Sequence, residues 1–113
     1  MKPVSIETVE PYSWGENCTG WHLVKSPALS VIQEVVPKGC SERSHLHVHA
    51  EQFFFVLSGE ATLVVSGSHF KLTQHQGLHV PAGVIHQLRN DSEQYLIFTV
   101  TSTPPSHGDR VEA

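Results

Sequence analysis

Apolar and polar positions alternate along most of this chain, in short runs. "LSVIQEVV" (29–36), "QFFFVL" (52–57), "ATLVV" (61–65), "HFKL" (69–72) and "QYLIFTV" (94–100) are rich in β-branched and aromatic residues. Turn signals separate them: "PKG" at 37–39, "SG" at 58 and again at 66, "QG" at 76, "PAG" at 81 and "ND" at 90. A period of two sends successive side chains to opposite faces of a strand. Short strands at this spacing predict an all-β sandwich or barrel. No window sustains an apolar period of 3.6, so no helix is predicted.

Length and charge narrow the reading. A chain of 113 residues points to one domain, and a domain of that size buries roughly two thirds of its unfolded surface. The net charge of -4 is mild. No basic stripe invites nucleic acid, and no polybasic amphipathic segment invites a membrane surface. The longest uninterrupted apolar run, Phe53 to Leu57, is far short of a span. The opening "MKPVSIETVEPYSW" lacks the apolar stretch of a signal peptide. The expectation is a soluble, cytoplasmic protein. Cys18 and Cys40 show no CxxC spacing and read as ordinary thiols in a reducing compartment. Residues 1–27 are expected to form an N-terminal arm, 28–103 the barrel it packs on, and 104–113 a tail, all within one domain.

Histidine changes the picture. The chain has nine, and seven fall between positions 45 and 86. In "HLHVHAEQFFFVLSGE" (45–60), three imidazoles are followed by an acid, an amide and three phenylalanines. His45 and His47 share one face of a strand, and His49 shares it if the strand stays regular. Such a pair can hold one divalent ion from a single strand, with further ligands arriving from elsewhere. "PAGVIHQLRN" (81–90) offers His86, three residues past the turn glycine Gly83. Alternation also splits the phenylalanines. One face serves the core, and the other needs cover from the N-terminal arm or a second subunit.

Together the two segments resemble the motifs of the cupin superfamily. The first cupin motif runs Gly, five residues, His-x-His, three or four residues, Glu, six residues, Gly. Here Gly39 is followed by five residues, then His45 and His47, and the segment closes at Gly59. The second motif runs Gly, five residues, Pro-x-Gly, two residues, His, three residues, Asn. Pro81, Gly83, His86 and Asn90 match it without a gap. The resemblance covers roughly residues 28 to 101. It departs from the family at two positions. With six residues left before Gly59, the ligand position falls on Gln52, and the neighbouring Glu51 has the opposite parity. Either Gln52 points into the barrel as fourth ligand, or a bulge lets Glu51 do so. The unbroken strand that follows favours Gln52. His75 stands where the family has its opening glycine, and Gly77 is expected to supply the turn flexibility instead.

The resemblance implies a single-domain double-stranded β-helix, a jelly-roll barrel. Its metal ligands would be His45, His47, Gln52 and His86, and His49 lies between ligand positions. That donor set suits a divalent transition metal such as Zn, Mn, Ni or Fe, with positions kept for water or substrate. A carboxylate ligand would offset part of the metal's charge, and an amide offsets none. That favours anionic ligands and Lewis-acid chemistry. The expected function is a metal-dependent enzyme on a small anionic or sugar-like substrate, of isomerase, lyase or tautomerase type. The alternatives are a metal-dependent dioxygenase and a non-catalytic small-ligand binding or sensing module. Some similar small cupins act on uronate-type sugars through three His and one Gln, but "YLIFTVTST" (95–103) offers no clear acid to serve as their base. Catalytic candidates here are His75, His79, Glu51 and Arg110. The last belongs to "HGDR" (107–110), which is either a solvated tail or a cover that brings a guanidinium to a substrate carboxylate. "YSWGENCTGWH" (12–22) reads as a strand packing over the barrel or across a dimer, or as an aromatic lid. Cupins often pair through their sheets, so a homodimer is expected.

Overall fold

The computed structural model describes residues 1–106 and 108–113, so His107 of the "HGDR" segment lies outside the described residues. Among the described residues the chain forms eleven strands and no helix. They are β1 (Tyr12–Trp14), β2 (Cys18–Lys25), β3 (Ser30–Val36), β4 (His45–His47), β5 (Glu51–Ser58), β6 (Ala61–Val65), β7 (Ser68–Leu72), β8 (Gly77–Val80), β9 (His86–Arg89), β10 (Leu96–Thr103) and β11 (Arg110–Glu112). One antiparallel sheet has the order β1-β2-β3-β10-β5-β8, and the other β11-β4-β9-β6-β7. The chain passes repeatedly between the two, as in a jelly-roll barrel. This is the all-β architecture that the turn spacing predicts.

Alternation decides what each strand buries. In β5 the pattern puts Gln52, Phe54 and Val56 inside and leaves Glu51 and Phe53 exposed. Val36, Val56, Leu63, Leu88, Leu96 and Phe98 are at most 2% exposed and fill the space between the sheets. Each such side chain contributes roughly 1.5–3 kcal/mol by removal from water. On β3 the inward register runs Ile32, Glu34, Val36, so an acid occupies a position that alternation assigns to the interior.

Two hydrogen-bonded turns tie the halves of the barrel together. Asn90 is fully buried; its amide donates to Val36 O at 2.9 Å and Gln94 O at 2.7 Å. Its side-chain oxygen accepts from Ser92 N at 3.0 Å and Ser92 Oγ at 2.7 Å. The backbone N–H of Gly83 donates to His47 O at 2.7 Å, which joins the turn before β9 to β4. The expectation for His75 and Gly77 needs correction. His75 itself takes the left-handed conformation, with φ of 66°, where a non-glycine residue costs about 1–2 kcal/mol. Gly77 serves a close approach instead, since a Cβ there would lie 2.5 Å from the Phe53 ring.

Candidate metal centre

Neighbouring strands deliver three imidazoles to one point. His45 and His47 come from β4, and His86 is the direct cross-strand partner of His45 on β9. All three are buried, at 3%, 6% and 2% exposure. One ring nitrogen from each lies within 4.8 Å of the others. From the facing sheet, Gln52 brings its Oε1 to 3.1 Å from His86 Nε2. Gln52 Nε2 donates to Ser102 Oγ at 3.0 Å, and Ser102 is its partner across β10.

The hydrogen bonds set what these groups offer. His45 Nδ1 lies 2.8 Å from Arg43 O, and His86 Nδ1 lies 2.9 Å from Val84 O. A carbonyl only accepts, so each Nδ1 carries the proton and each Nε2 keeps a lone pair. His47 Nδ1 is buried with no hydrogen-bond partner among the described residues. Burial lowers the pKa of His45 and His47 to about 4, and it lowers that of His86 too. All three rings are therefore neutral near pH 7. In this amide orientation two acceptors, His86 Nε2 and Gln52 Oε1, face each other at hydrogen-bond distance. Converging lone pairs of three neutral imidazoles and an amide fit a divalent first-row metal. The Nδ1–H bonds to carbonyls are the outer contacts that orient metal-binding histidines.

A cavity of about 270 Å³ opens beside the cluster, lined in part by Tyr12, Glu34, Glu42, His45, Gln52 and Arg110. A larger depression, about 1020 Å³, adjoins it through Trp14, Glu42 and Arg110 but includes none of the cluster histidines. Of the two, the smaller cavity is the one lined by His45, His47 and Gln52.

The remaining sequence-derived candidates fall in different places. Glu51 and His79 sit outside the barrel, paired with each other at 2.8 Å and each 55% exposed. The outward parity of Glu51 on β5 is what removes it from the cluster. His75 is also exposed, with its ring stacked on Phe55 at 6.4 Å between centroids. None of these three lines the cavity. Arg110 does, from β11, and its Nη2 donates to Arg43 O at 3.3 Å. His49 is exposed in the loop after β4. That loop is held by Asp109, whose carboxylate accepts from the N–H groups of Val48, His49 and Ala50 at 2.8–3.1 Å.

Sequence reasoning missed two acids. Glu34 accepts a 3.4 Å hydrogen bond from Tyr12 Oη. Burial, then the nearby Glu42 charge, push its carboxyl up to about 8. Glu42 accepts from Leu88 N at 2.9 Å, and burial raises it to about 7. The signal for Glu34 was present, as a charge at an inward position of an alternating strand. Glu42 lies between strands and carried none.

Known proteins bear on the same region. Residues 31–102 match the family of cupin domains, Cupin_2. Over 62 residues, 55% of this chain, it is 34% identical to quercetin 2,3-dioxygenase of Bacillus subtilis. The chain spans less than a fifth of the length of the curated relatives it matches first. An RmlC-like cupin from Shewanella frigidimarina superposes with a TM-score of 0.84 at 23% identity, covering 92% of this chain and 91% of that one. The polyketide cyclase RemF from Streptomyces resistomycificus superposes at 0.87 with 19% identity, covering 100% of this chain and 85% of that one. Those likenesses extend over both sheets, and the family match spans both histidine segments: the chain belongs to the cupin family.

Proposed function

We propose that this protein is a metal-dependent enzyme in which His45, His47, His86 and Gln52 hold Zn, Mn, Ni or Fe. Its substrate would be a small anionic or sugar-like molecule, turned over by chemistry of isomerase, lyase or tautomerase type. The observation that carries this reading is the convergence of three buried neutral imidazoles and an amide oxygen beside a cavity. A metal bound there supplies Lewis acidity undiminished by any anionic ligand. The cavity volume, about 270 Å³, falls just below the range of about 300–1,000 Å³ for drug-sized ligand sites, which supports a small substrate. Arg110 on its wall offers a guanidinium for an anionic group.

The similarity to quercetin 2,3-dioxygenase favours a second reading, oxygen chemistry at a redox metal. The third is ligand binding without turnover. One experiment sorts them. Protein loaded in turn with zinc, manganese, nickel or iron is given a panel of small oxo acids and sugar acids. NMR follows the substrates while an electrode follows oxygen. The proposal expects chelator-sensitive conversion without oxygen uptake. Oxygen uptake tied to iron would favour the dioxygenase, and binding with no conversion the sensing module.

A homodimer is part of the same reading. Phe53 is 43% exposed and stacks on Phe55 at 6.1 Å on the outer face of the six-stranded sheet. Light scattering checks it: a dimer is expected, and Phe53→Lys should shift it toward monomer.

A further inference from the structure

We infer that Glu34 is the proton-transferring group of this cavity, acting on a carbon beside a carbonyl group of a substrate held at the imidazole cluster, with Tyr12 as its positioning residue. The inference rests on the metal-enzyme reading above and assigns its substrate class: a small enolisable oxo acid.

The dyad is built across three strands. Tyr12 on β1 pairs with Gly20 on β2, and Gly20 pairs with Glu34 on β3, so the three form one row across the sheet. Their shared inward register points the row at the facing sheet, which carries His45 and His47. The middle position has no side chain, and the phenol lies in that gap. A Cβ on Gly20 would come within 2.4–2.8 Å of the Tyr12 ring. The gap lets Tyr12 Oη reach Glu34 Oε2 at 3.4 Å. The ring is also stacked on His22, 4.9 Å between centroids and 28° between planes. Tyr12, Glu34, His45, His47 and Gln52 all line one cavity.

The surroundings set the state of Glu34. Facing it are Tyr12 from β1, Cys18 from β2 and Glu42 from the loop before β4, with His22 behind the phenol. Arg110 lines the same cavity, and Phe98, the β10 partner of Glu34, carries no charge. Burial and then Glu42 raise the carboxyl to about 8, while the Tyr12 hydrogen bond lowers it. A group that titrates near neutral pH can both take and return a proton.

The step balances without an oxidant or second reactant. The Glu34 carboxylate takes a proton from the carbon next to a carbonyl. The C–H bond breaks as an O–H bond forms. The C–H electron pair becomes a carbon–carbon double bond, and the carbonyl pair moves to oxygen. The reverse step returns a proton to the same carbon or a neighbour. Arg110 would receive the substrate's carboxylate.

The test uses the whole chain and pyruvate as probe. In D₂O, the zinc-loaded protein should speed exchange of the pyruvate methyl protons at least tenfold over the metal-free protein, followed by NMR. Glu34→Gln should lose at least tenfold of that rate while keeping its zinc. The wild-type rate should rise with pH as the Glu34 carboxyl ionises. A readout independent of activity comes from metal-free protein labelled at its Glu carboxyls. There the Glu34 signal should titrate near 8 and move higher in Tyr12→Phe. Three results would overturn the inference: exchange in Glu34→Gln equal to wild type, no exchange by loaded wild type, or titration of Glu34 in the ordinary carboxylate range. Failure of the underlying metal reading would look different: zinc would be absent from the wild-type protein in the same samples.

Discussion

Gln52 and Ser102 show how single side chains define this centre. Ser102 accepts from the amide nitrogen of Gln52 at 3.0 Å, which turns the amide oxygen toward His86. Ser102→Ala should therefore weaken metal affinity by about 10–100-fold, read by competition with a fluorescent chelator, with little change in fold. The inward direction of Gln52 could be read in the sequence, because strand parity allows no other outcome without a bulge. Its partner could not, since Ser102 is 50 residues away and only strand pairing brings it close. Gly20 makes a second residue-scale prediction. A methyl group there collides with the Tyr12 ring, so Gly20→Ala should cost about 1–3 kcal/mol by overpacking, measured by urea denaturation. Nothing in the string "CTGWH" distinguishes this glycine from a turn residue, because its constraint comes from a neighbouring strand.

Among elements, the short β11 has the largest consequence for the site. It pairs with β4 in the register Arg110–His47 and Glu112–His45, so it backs the strand that carries two of the imidazoles. Asp109, just before it, collects three backbone N–H groups of the β4–β5 loop. Asp109→Ala leaves the His49 and Ala50 donors unpaired, while Val48 N keeps its 3.2 Å bond to Asp109 O. The variant should melt at lower temperature and lose metal faster to a chelator, and Asp109→Asn should recover part of both. This element was invisible in the sequence. All three residues of β11 are exposed, so no hydrophobic alternation marks it. The strands β3, β5 and β10 were legible for the opposite reason, since each buries one face and so keeps a period of two. His49, Glu51, His75 and His79 looked like site residues because composition clusters them near the motif. Loop direction and strand parity send their side chains outward.

At the scale of the whole molecule, buried ionisable groups set the pH response. His45 and His47 ordinarily titrate near 6.5 and are held near 4. The unfolded chain binds those protons first, so stability is lost as pH falls from about 6.5 toward 4. Glu34 and Glu42 ordinarily titrate near 4.5 and are raised to about 8 and 7. The folded state holds those protons more tightly, so stability is lost as pH rises from about 4.5 through 8. The histidine effect ends near 6.5 and the carboxyl effect continues above it. Between about 4.5 and 6.5 the two effects oppose each other, and above 6.5 only the carboxyl effect remains, so metal-free protein should melt at lower temperature as pH rises from 6.5 to 9. Unchanged melting between pH 6.5 and 9 would contradict the buried state of the two acids.

The central claim is that the imidazole cluster holds a metal, and metal content tests it most directly. Elemental analysis of protein purified without a metal-affinity tag is compared with a His47→Ala variant prepared alongside. The account predicts near-stoichiometric divalent transition metal in the wild type and its loss in the variant, with both chains folded. No metal in either sample, and none taken up from a divalent mixture, would contradict it.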